Sequence, residues 1–441
     1  MVDPLAPSQA QGASVGVDEQ HEVARFLTRL GSAMAVAGAS VTETRVALDI
    51  AASAYGLRSQ ITVMPGTILI RLAGDEAVTI EISSVMNRSL RLDQIDATFQ
   101  LVDQAKVAGI AASDGLERLG AIWRSTPRHS QALSLFGYML MSVGFGLMLQ
   151  PSIGTLIGCA LLGLLVGELL LLTGNRPALT TLTPVVASLL VGLIVFFAVD
   201  AGFTEGPLLL LIPPLVILLP GAMLTTGMIE LQSGDIVSGS SRLVAGGVQL
   251  VLLLFGLTMA AFIIGVPSAE AFSAGTSETF LHWGPLAGVF IFGAGIYLYR
   301  SAPPQSLPWL LLVLLVAWAG QQAGDQLVGG YASGLFGAIA MTPVAYAIER
   351  WRSAPAAMVS ILPAYWMLVP GALGLIGLTK IVAEGEQVSV TDYGSTIFAL
   401  IAISLGVSLG ELVRVPLVSW FNRVVDRLAA STLPAERSTD R

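Results

Sequence analysis

The sequence has few charged residues: Asp, Glu, Lys and Arg make up 12% of its 441 residues, whereas soluble domains average about 25%. Hydrophobic residues make up 54%, and the mean hydropathy is +0.76. So few charges cannot cover the surface of a globular protein of this length. The 47 glycines and 22 prolines lie within apolar runs, which excludes a disordered or collagen-like chain. The composition predicts a polytopic α-helical membrane protein.

Lysine, cysteine and histidine are rare, and each rarity excludes a class of site. Neither of the only lysines, Lys106 and Lys380, follows a glycine, so a phosphate-binding loop of the G-x-x-x-x-G-K-[ST] type cannot form. The single cysteine, Cys159, rules out an intrachain disulfide bond. The 3 histidines are scattered along the chain, so the sequence predicts no metal centre, no cofactor and no enzymatic activity.

Acidic residues outnumber basic ones, 30 to 22, and the net charge is −8. The chain has no basic patch of the kind that binds a phosphate backbone, so a nucleic-acid partner is not expected. The composition makes the lipid bilayer the expected partner, and a homo-oligomer stays open.

The first 130 residues are much more polar than the rest. Residues 1–20 lack an apolar core and are expected to be disordered. Residues 21–130 predict a small cytoplasmic α/β domain, in which Ser40 and Glu43 fit a capping box. Its predicted elements are helices at 21–37, 40–55, 93–108 and 114–124 and strands at 61–64, 67–72 and 77–82.

Ten apolar runs after residue 131 are long enough to span a membrane. They lie at about 132–149, 152–173, 181–199, 207–228, 243–265, 284–299, 307–321, 328–348, 356–378 and 394–413. Arginines occupy every second connection, beginning with Arg176 and Arg242, whereas the alternate connections contain Lys380 as their one basic residue. The positive-inside rule therefore predicts that both termini are cytoplasmic, in the cytoplasmic membrane.

A repeat at a spacing of 150 residues relates the fourth span to the ninth. Matching apolar residues are weak evidence for a repeat in so hydrophobic a chain, whereas prolines and glycines that match in register are strong evidence. The identical pairs are Pro213/Pro363, Leu218/Leu368, Pro220/Pro370, Gly221/Gly371, Ala222/Ala372 and Gly227/Gly377.

Each repeat holds five spans, so the second copy would enter the membrane with the opposite orientation. The predicted repeats are 131–267 and 268–420, followed by a cytoplasmic tail at 421–441. Proline removes an N–H group, and backbone groups freed at membrane depth must face protein or a water-filled cavity. The breaks at Pro220-Gly221 and Pro370-Gly371 therefore predict two half-helix ends that meet at a polar pocket, as in secondary transporters. The alternative is that they only kink two helices for packing.

A polar stretch follows the first break. It contains Thr225, Thr226, Gly227, Glu230, Asp235 and Arg242. One interpretation assigns the threonines and Arg242 to substrate binding and Glu230 or Asp235 to proton coupling. The other makes the stretch a solvated loop whose serines cap the fifth helix. Glu168, the acid deepest in an apolar run, is a further candidate for proton coupling, or an interfacial acid near Arg176.

These residues resemble the threonine/serine exporter family, over nearly the whole chain after residue 20. The stretch from Gly38 to Arg45 is similar to that family's glycine-then-arginine helix pair, and the run from Pro220 to Arg242 to its most characteristic segment. Further similar positions are Arg352, Pro355-Ala356 and Leu368-Val369-Pro370-Gly371; Thr226 stands where family members often have asparagine. The resemblance implies ten spans, a cytoplasmic N-terminal domain and export driven by the proton motive force.

The sequence thus favours a proton-coupled secondary exporter of threonine and serine that works by alternating access. Its expected substrate-binding residues are Pro220, Gly221, Thr225, Thr226, Gly227, Arg242, Pro370 and Gly371, and its expected proton-coupling residues are Glu230, Asp235 and Glu168. The alternatives are a dicarboxylate exporter and, in another class, a membrane-anchored sensor that binds a ligand with its N-terminal domain.

Overall fold

A computed structural model describes most of the chain. The described residues are 17–73, 78–84, 89–149, 152–174, 176–202, 207–266, 283–330, 332–351, 354–368, 375–376 and 398–413. The chain divides into two compact units: an N-terminal unit, Met1–Leu90 with Ala97–Thr126, and a membrane unit, Arg91–Asp96 with Pro127–Arg441. The domain boundaries expected from the sequence stay predictions.

The N-terminal unit combines helices with a small antiparallel sheet. Its strands pair in the order β1-β2-β3, and Gly66 (φ +78°) makes the first turn. The Ser40 Oγ accepts a hydrogen bond from the Glu43 N–H at 3.1 Å, as the capping-box prediction requires. The elements are α1 (Val17–Val36), α2 (Val41–Ala54), β1 (Arg58–Met64), β2 (Thr67–Ala73), β3 (Val78–Ser84), α3 (Leu92–Ala105) and α4 (Ala112–Arg124). The first residues of α3, up to Asp96, belong to the membrane unit.

The membrane unit is helical throughout its described residues. Its helices are α5 (Gln131–Met148), α6 (Ile153–Thr173), α7 (Pro177–Thr180), α8 (Thr183–Asp200), α9 (Leu208–Leu215), α10 (Gly221–Gln232), α11 (Ile236–Ile264), α12 (Gly284–Tyr299), α13 (Leu307–Val328), α14 (Ser333–Ile348), α15 (Ala357–Met367) and α16 (Phe398–Val413). A 3-10 turn, Val216–Leu218, follows α9.

Helix length and composition identify a polytopic membrane protein. In the described chain, 5 helices are long and apolar enough to cross a membrane, or 6 if the bent pair α9–α10 is counted as one span. Four shorter apolar helices, α12, α14, α15 and α16, lie in other predicted spans. Each of the ten predicted runs therefore contains helix, while the number of spans stays a prediction.

Helices α11 and α13 extend well beyond the apolar runs predicted for them. Helix α11 begins at Ile236, seven residues before the predicted run, so the serines that sequence reasoning places in a loop lie in its first turns. Helix α13 continues to Val328 and so includes Gln321, Gln322 and Asp325, which lie at or beyond the end of the predicted run. Polar residues mark the end of an apolar run but not the end of a helix.

One helix-packing contact occurs twice, 150 residues apart. A Cβ added at Gly256 of α11 would lie 2.6 Å from the Val185 carbonyl oxygen of α8. Gly406 of α16 meets the Leu335 carbonyl of α14 in the same way. A second contact pair has the same spacing: Gly192 with Ala260, and Gly410 with Thr342.

Helices α5 and α12, which begin the two predicted repeats, cross in opposite directions. A Cβ at Gly144 would lie 2.8 Å from the Gly288 carbonyl oxygen, and one at Gly137 would lie 2.9 Å from the Gly295 carbonyl oxygen. The contact partners therefore run in reverse order along the two helices. Small residues permit such close approach of two backbones inside a membrane.

Candidate functional site at the broken helix

The apolar segment after Pro207 is a broken helix. Helix α9 and its 3-10 turn end at Leu218, α10 begins at Gly221, and the two axes differ by 63°. The break residues have non-helical backbone angles, with ψ 126° at Leu219 and ψ 36° at Pro220. The sequence-predicted break at Pro220-Gly221 is therefore present.

Side chains from other helices satisfy the carbonyl groups near the break. Pro213 has no N–H to donate to the Leu209 carbonyl four residues earlier, so that carbonyl needs another donor. Unsatisfied backbone groups cost several kcal/mol in a membrane (order of magnitude). The Cys159 thiol donates to this Leu209 carbonyl at 3.7 Å. Two further side chains donate to carbonyl groups near the break: the Tyr138 hydroxyl to that of Pro214 at 2.8 Å, and the Gln249 amide to that of Leu218.

Helices α10 and α11 approach each other closely just after the break. A Cβ at Gly239 would lie 2.6 Å from the Gly227 carbonyl oxygen, and one at Gly227 would lie 3.0 Å from the Gly239 carbonyl oxygen. Gly246 packs on Leu224 in the same interface. Only glycine permits this spacing without a backbone shift, and the spacing brings the polar side chains of the two helices together.

A buried ion pair lies beside this crossing. The Glu230 Oε2 of α10 accepts a hydrogen bond from the Arg242 Nε of α11 at 3.0 Å and another from the Ser238 Oγ at 2.7 Å. The Glu230 side chain is 0% exposed and that of Arg242 is 25% exposed. The Arg242 side chain is therefore partly exposed, whereas the carboxylate that it contacts is fully buried.

Two threonines lie between the break and this ion pair. Thr225, one turn into α10, is fully buried, and its Oγ1 has no hydrogen-bond partner among the described residues. Thr226 is also buried, and lies four residues before Glu230 on the same helix face. A buried hydroxyl without a partner is uncommon in proteins and indicates a place where another polar group can bind.

The other predicted site residues have different surroundings. Asp235 is the N-cap residue of α11, and its N–H donates to the Glu230 carbonyl at 2.9 Å. Glu168 is exposed on α6, whose main packing partners among the described helices are α5, α7, α8 and α9. Pro370 and Gly371 lie outside the described residues.

Sequence reasoning missed residues that support the site from a distance. Gln249 lies in the apolar run of α11, where an amide is unusual enough to have been noticed. The Gln232 Nε2 at the end of α10 donates to the Ser404 Oγ of α16 at 2.8 Å. No spacing rule connects positions 172 residues apart, so the second contact had no local signal.

The chain was compared with known proteins. The family model of ThrE, described as "Putative threonine/serine exporter", matches residues 25–264. The matched region contains the broken helix, Thr225, Glu230 and Arg242, and it ends where α11 ends. Comparison with curated proteins and with solved structures finds no match. Because the match covers more than half of the 441 residues, the chain belongs to the threonine/serine exporter family.

Proposed function

We propose that this protein is a proton-coupled exporter of threonine and serine in the cytoplasmic membrane. The observation that carries the proposal is the buried Glu230–Arg242 ion pair beside a broken membrane helix. Broken helices whose ends meet ionisable groups are typical of substrate sites in secondary transporters.

The ion pair has the charge distribution that a zwitterion needs. Arg242 offers a cation for an α-carboxylate, and Glu230 offers an anion for an α-ammonium group. An amino acid inserted between them leaves the net charge of the site unchanged, whereas a dicarboxylate adds two negative charges to a largely buried site. Thr226, one turn from Glu230, would then meet the hydroxyl group of the substrate side chain.

The same geometry couples transport to protons. A proton and an ammonium group compete for the Glu230 carboxylate, since it accepts either one but not both. Export then follows if the substrate binds from the cytoplasm to ionised Glu230 and is displaced on the outer side when Glu230 takes a proton. Competition for one carboxylate gives antiport, and the inward proton gradient drives the substrate out.

Alternating access requires two halves that move against each other. The contact at Gly256 that recurs at Gly406, and the reversed crossing of α5 with α12, support two inverted repeats of five helices. We propose that α10 and α15, which pack against each other, are the central elements of the two halves. The Gln232–Ser404 hydrogen bond then links the first half to the last helix of the second. In this arrangement both termini are cytoplasmic.

The proposal predicts threonine and serine efflux that depends on a pH gradient. Proteoliposomes loaded with labelled threonine, serine or succinate should release the two amino acids faster than protein-free vesicles, and faster still when the outside is acidic. Succinate tests the dicarboxylate alternative: faster efflux of succinate than of threonine would replace the proposed substrate. Equal leakage of all three compounds with and without protein would rule out export.

A further inference from the structure

Helix α15, which precedes the second sequence-predicted break, begins without a side-chain cap of its own. Its N-cap residue is Ala356, which has no side-chain acceptor. Ala356 and Ala357 are only 7% and 3% exposed, so water is not a ready partner for their N–H groups. A buried helix N-terminus must obtain acceptors from elsewhere in the protein.

Two carboxylates, one distant in sequence and one just before the helix, supply these acceptors. The Asp96 Oδ1 accepts from the Ala356 N–H at 2.8 Å, and the Glu349 Oε1 accepts from the Ala357 N–H at 3.2 Å. Asp96 comes from 260 residues earlier. Both carboxylates lie where the helix dipole stabilises negative charge.

The segment that carries Asp96 is itself held in the membrane unit. The Leu92 N–H donates to the Arg300 carbonyl oxygen at the end of α12 at 3.0 Å. Arg91 forms a bidentate ion pair with Asp93, with both nitrogen–oxygen distances at 3.0 Å. The Arg300 guanidinium lies 5.8 Å from the Trp366 ring centroid, so it contacts the other end of α15. The end of α12 and both ends of α15 are thus tied together.

We propose that Asp96 and Glu349 form a two-carboxylate cap that fixes the start of α15 and positions this helix for transport. The transport part of this inference rests on the proposed function, because α15 is a central element of the second half. The cap itself is independent of the substrate. Asp96 and Glu349 are positioning residues, since they act through the backbone of α15 and not on the substrate.

Hydrogen exchange of the full-length protein in nanodiscs tests the cap without reference to transport. Asp96→Ala should speed exchange of the Ala356 amide by about tenfold or more, because its acceptor is lost, and Glu349→Ala should do the same for the Ala357 amide. Asp96→Asn should leave exchange close to that of the unaltered protein, since the amide oxygen still accepts. Asp103→Asn, at an exposed acid further along α3, is the matched control and should have no effect.

Threonine efflux then tests the positioning role with the same proteins. Asp96→Ala and Glu349→Ala should each lower the maximal rate about fivefold or more with little change in KM, and Asp96→Asn should restore the rate. Unchanged exchange in Asp96→Ala would overturn the cap, and faster exchange with unchanged efflux would overturn the positioning role. If the unaltered protein exports no amino acid, the proposed function fails while the exchange result still decides the cap.

The pH dependence of stability gives a second test of Asp96. Burial raises the pKa of the Asp96 carboxyl group, the hydrogen bond from the Ala356 N–H lowers it, and the charge of Asp93 raises it. The other charged groups of this region are Arg91, which pairs with Asp93, Arg300, whose carbonyl accepts from Leu92, and Glu349, which caps the same helix end. Because the pKa is raised in the folded state, the stability contributed by protonated Asp96 is lost as pH rises through that pKa. Asp96→Asn should remove this loss and be at least as heat-stable as the unaltered protein at neutral pH. If the heat stability of Asp96→Asn depended on pH in the same way as that of the unaltered protein, this role of the Asp96 carboxyl group would be contradicted.

Discussion

Arg242→Ala should lower threonine efflux from proteoliposomes by about 100-fold or more. The substitution removes the guanidinium from a carboxylate that is 0% exposed. Truncating one partner of a buried, hydrogen-bonded charge pair costs about 2–5 kcal/mol in binding, and each 1.4 kcal/mol is a factor of about ten in affinity. In the proposed mechanism the substitution also removes the group that binds the substrate carboxylate.

Controls separate this role from a topological one. Arg176→Ala removes an exposed arginine from another connection and should leave efflux nearly unchanged. Arg242→Lys keeps the positive charge but not the guanidinium geometry, so it should retain a small part of the activity. Normal efflux with Arg242→Ala, in protein that is still inserted, would show that this arginine serves only to orient the chain.

Thr225→Val should raise the KM for threonine about tenfold while leaving heat stability unchanged or slightly higher. The two side chains have the same shape, and the Thr225 hydroxyl has no hydrogen-bond partner among the described residues. A buried hydroxyl without a partner costs about 1–3 kcal/mol, so its removal cannot destabilise the fold by losing a hydrogen bond. An increase in KM would therefore measure how much the Thr225 hydroxyl contributes to substrate binding.

Thr258→Val is the matched control for this prediction. The Thr258 hydroxyl donates to carbonyl groups of its own helix at 3.0 Å, so its loss should leave KM unchanged. A Thr225→Val protein that is more stable and transports with an unaltered KM would show that the hydroxyl is only a packing defect and not part of the site.

The break in the fourth predicted span could be predicted from the sequence, but its stabilisation could not. Pro213 and Pro220 lack N–H groups wherever they occur, so a helix through them must lose hydrogen bonds. The Cys159 thiol reaches the Leu209 carbonyl that Pro213 leaves without a donor, while Tyr138 and Gln249 reach the carbonyls of Pro214 and Leu218; the three donors come from three other helices. Which helix lies next to a break depends on tertiary packing, for which the apolar pattern of a membrane helix carries little information.

The residues of the candidate site could be singled out from the sequence, but their geometry could not. Glu230 and Arg242 were both singled out, yet their contact depends on the glycine crossing of α10 and α11. The sequence placed Arg242 in a connection because the apolar run begins at residue 243, whereas the residues before it form the first turns of α11. Asp96 had no signal at all, since its partner is a backbone N–H group 260 residues away.

Accessibility of position 225 tests the central claim, that the broken helix borders a site open to substrate. Cys159 is the only cysteine and its thiol donates to the Leu209 carbonyl, so Cys159→Ser gives a cysteine-free protein that keeps a donor. With Thr225→Cys added, a membrane-impermeant methanethiosulfonate should label the protein, and threonine but not succinate should slow the labelling. A cysteine at 225 that does not react, or that reacts at the same rate with and without threonine, would contradict the account.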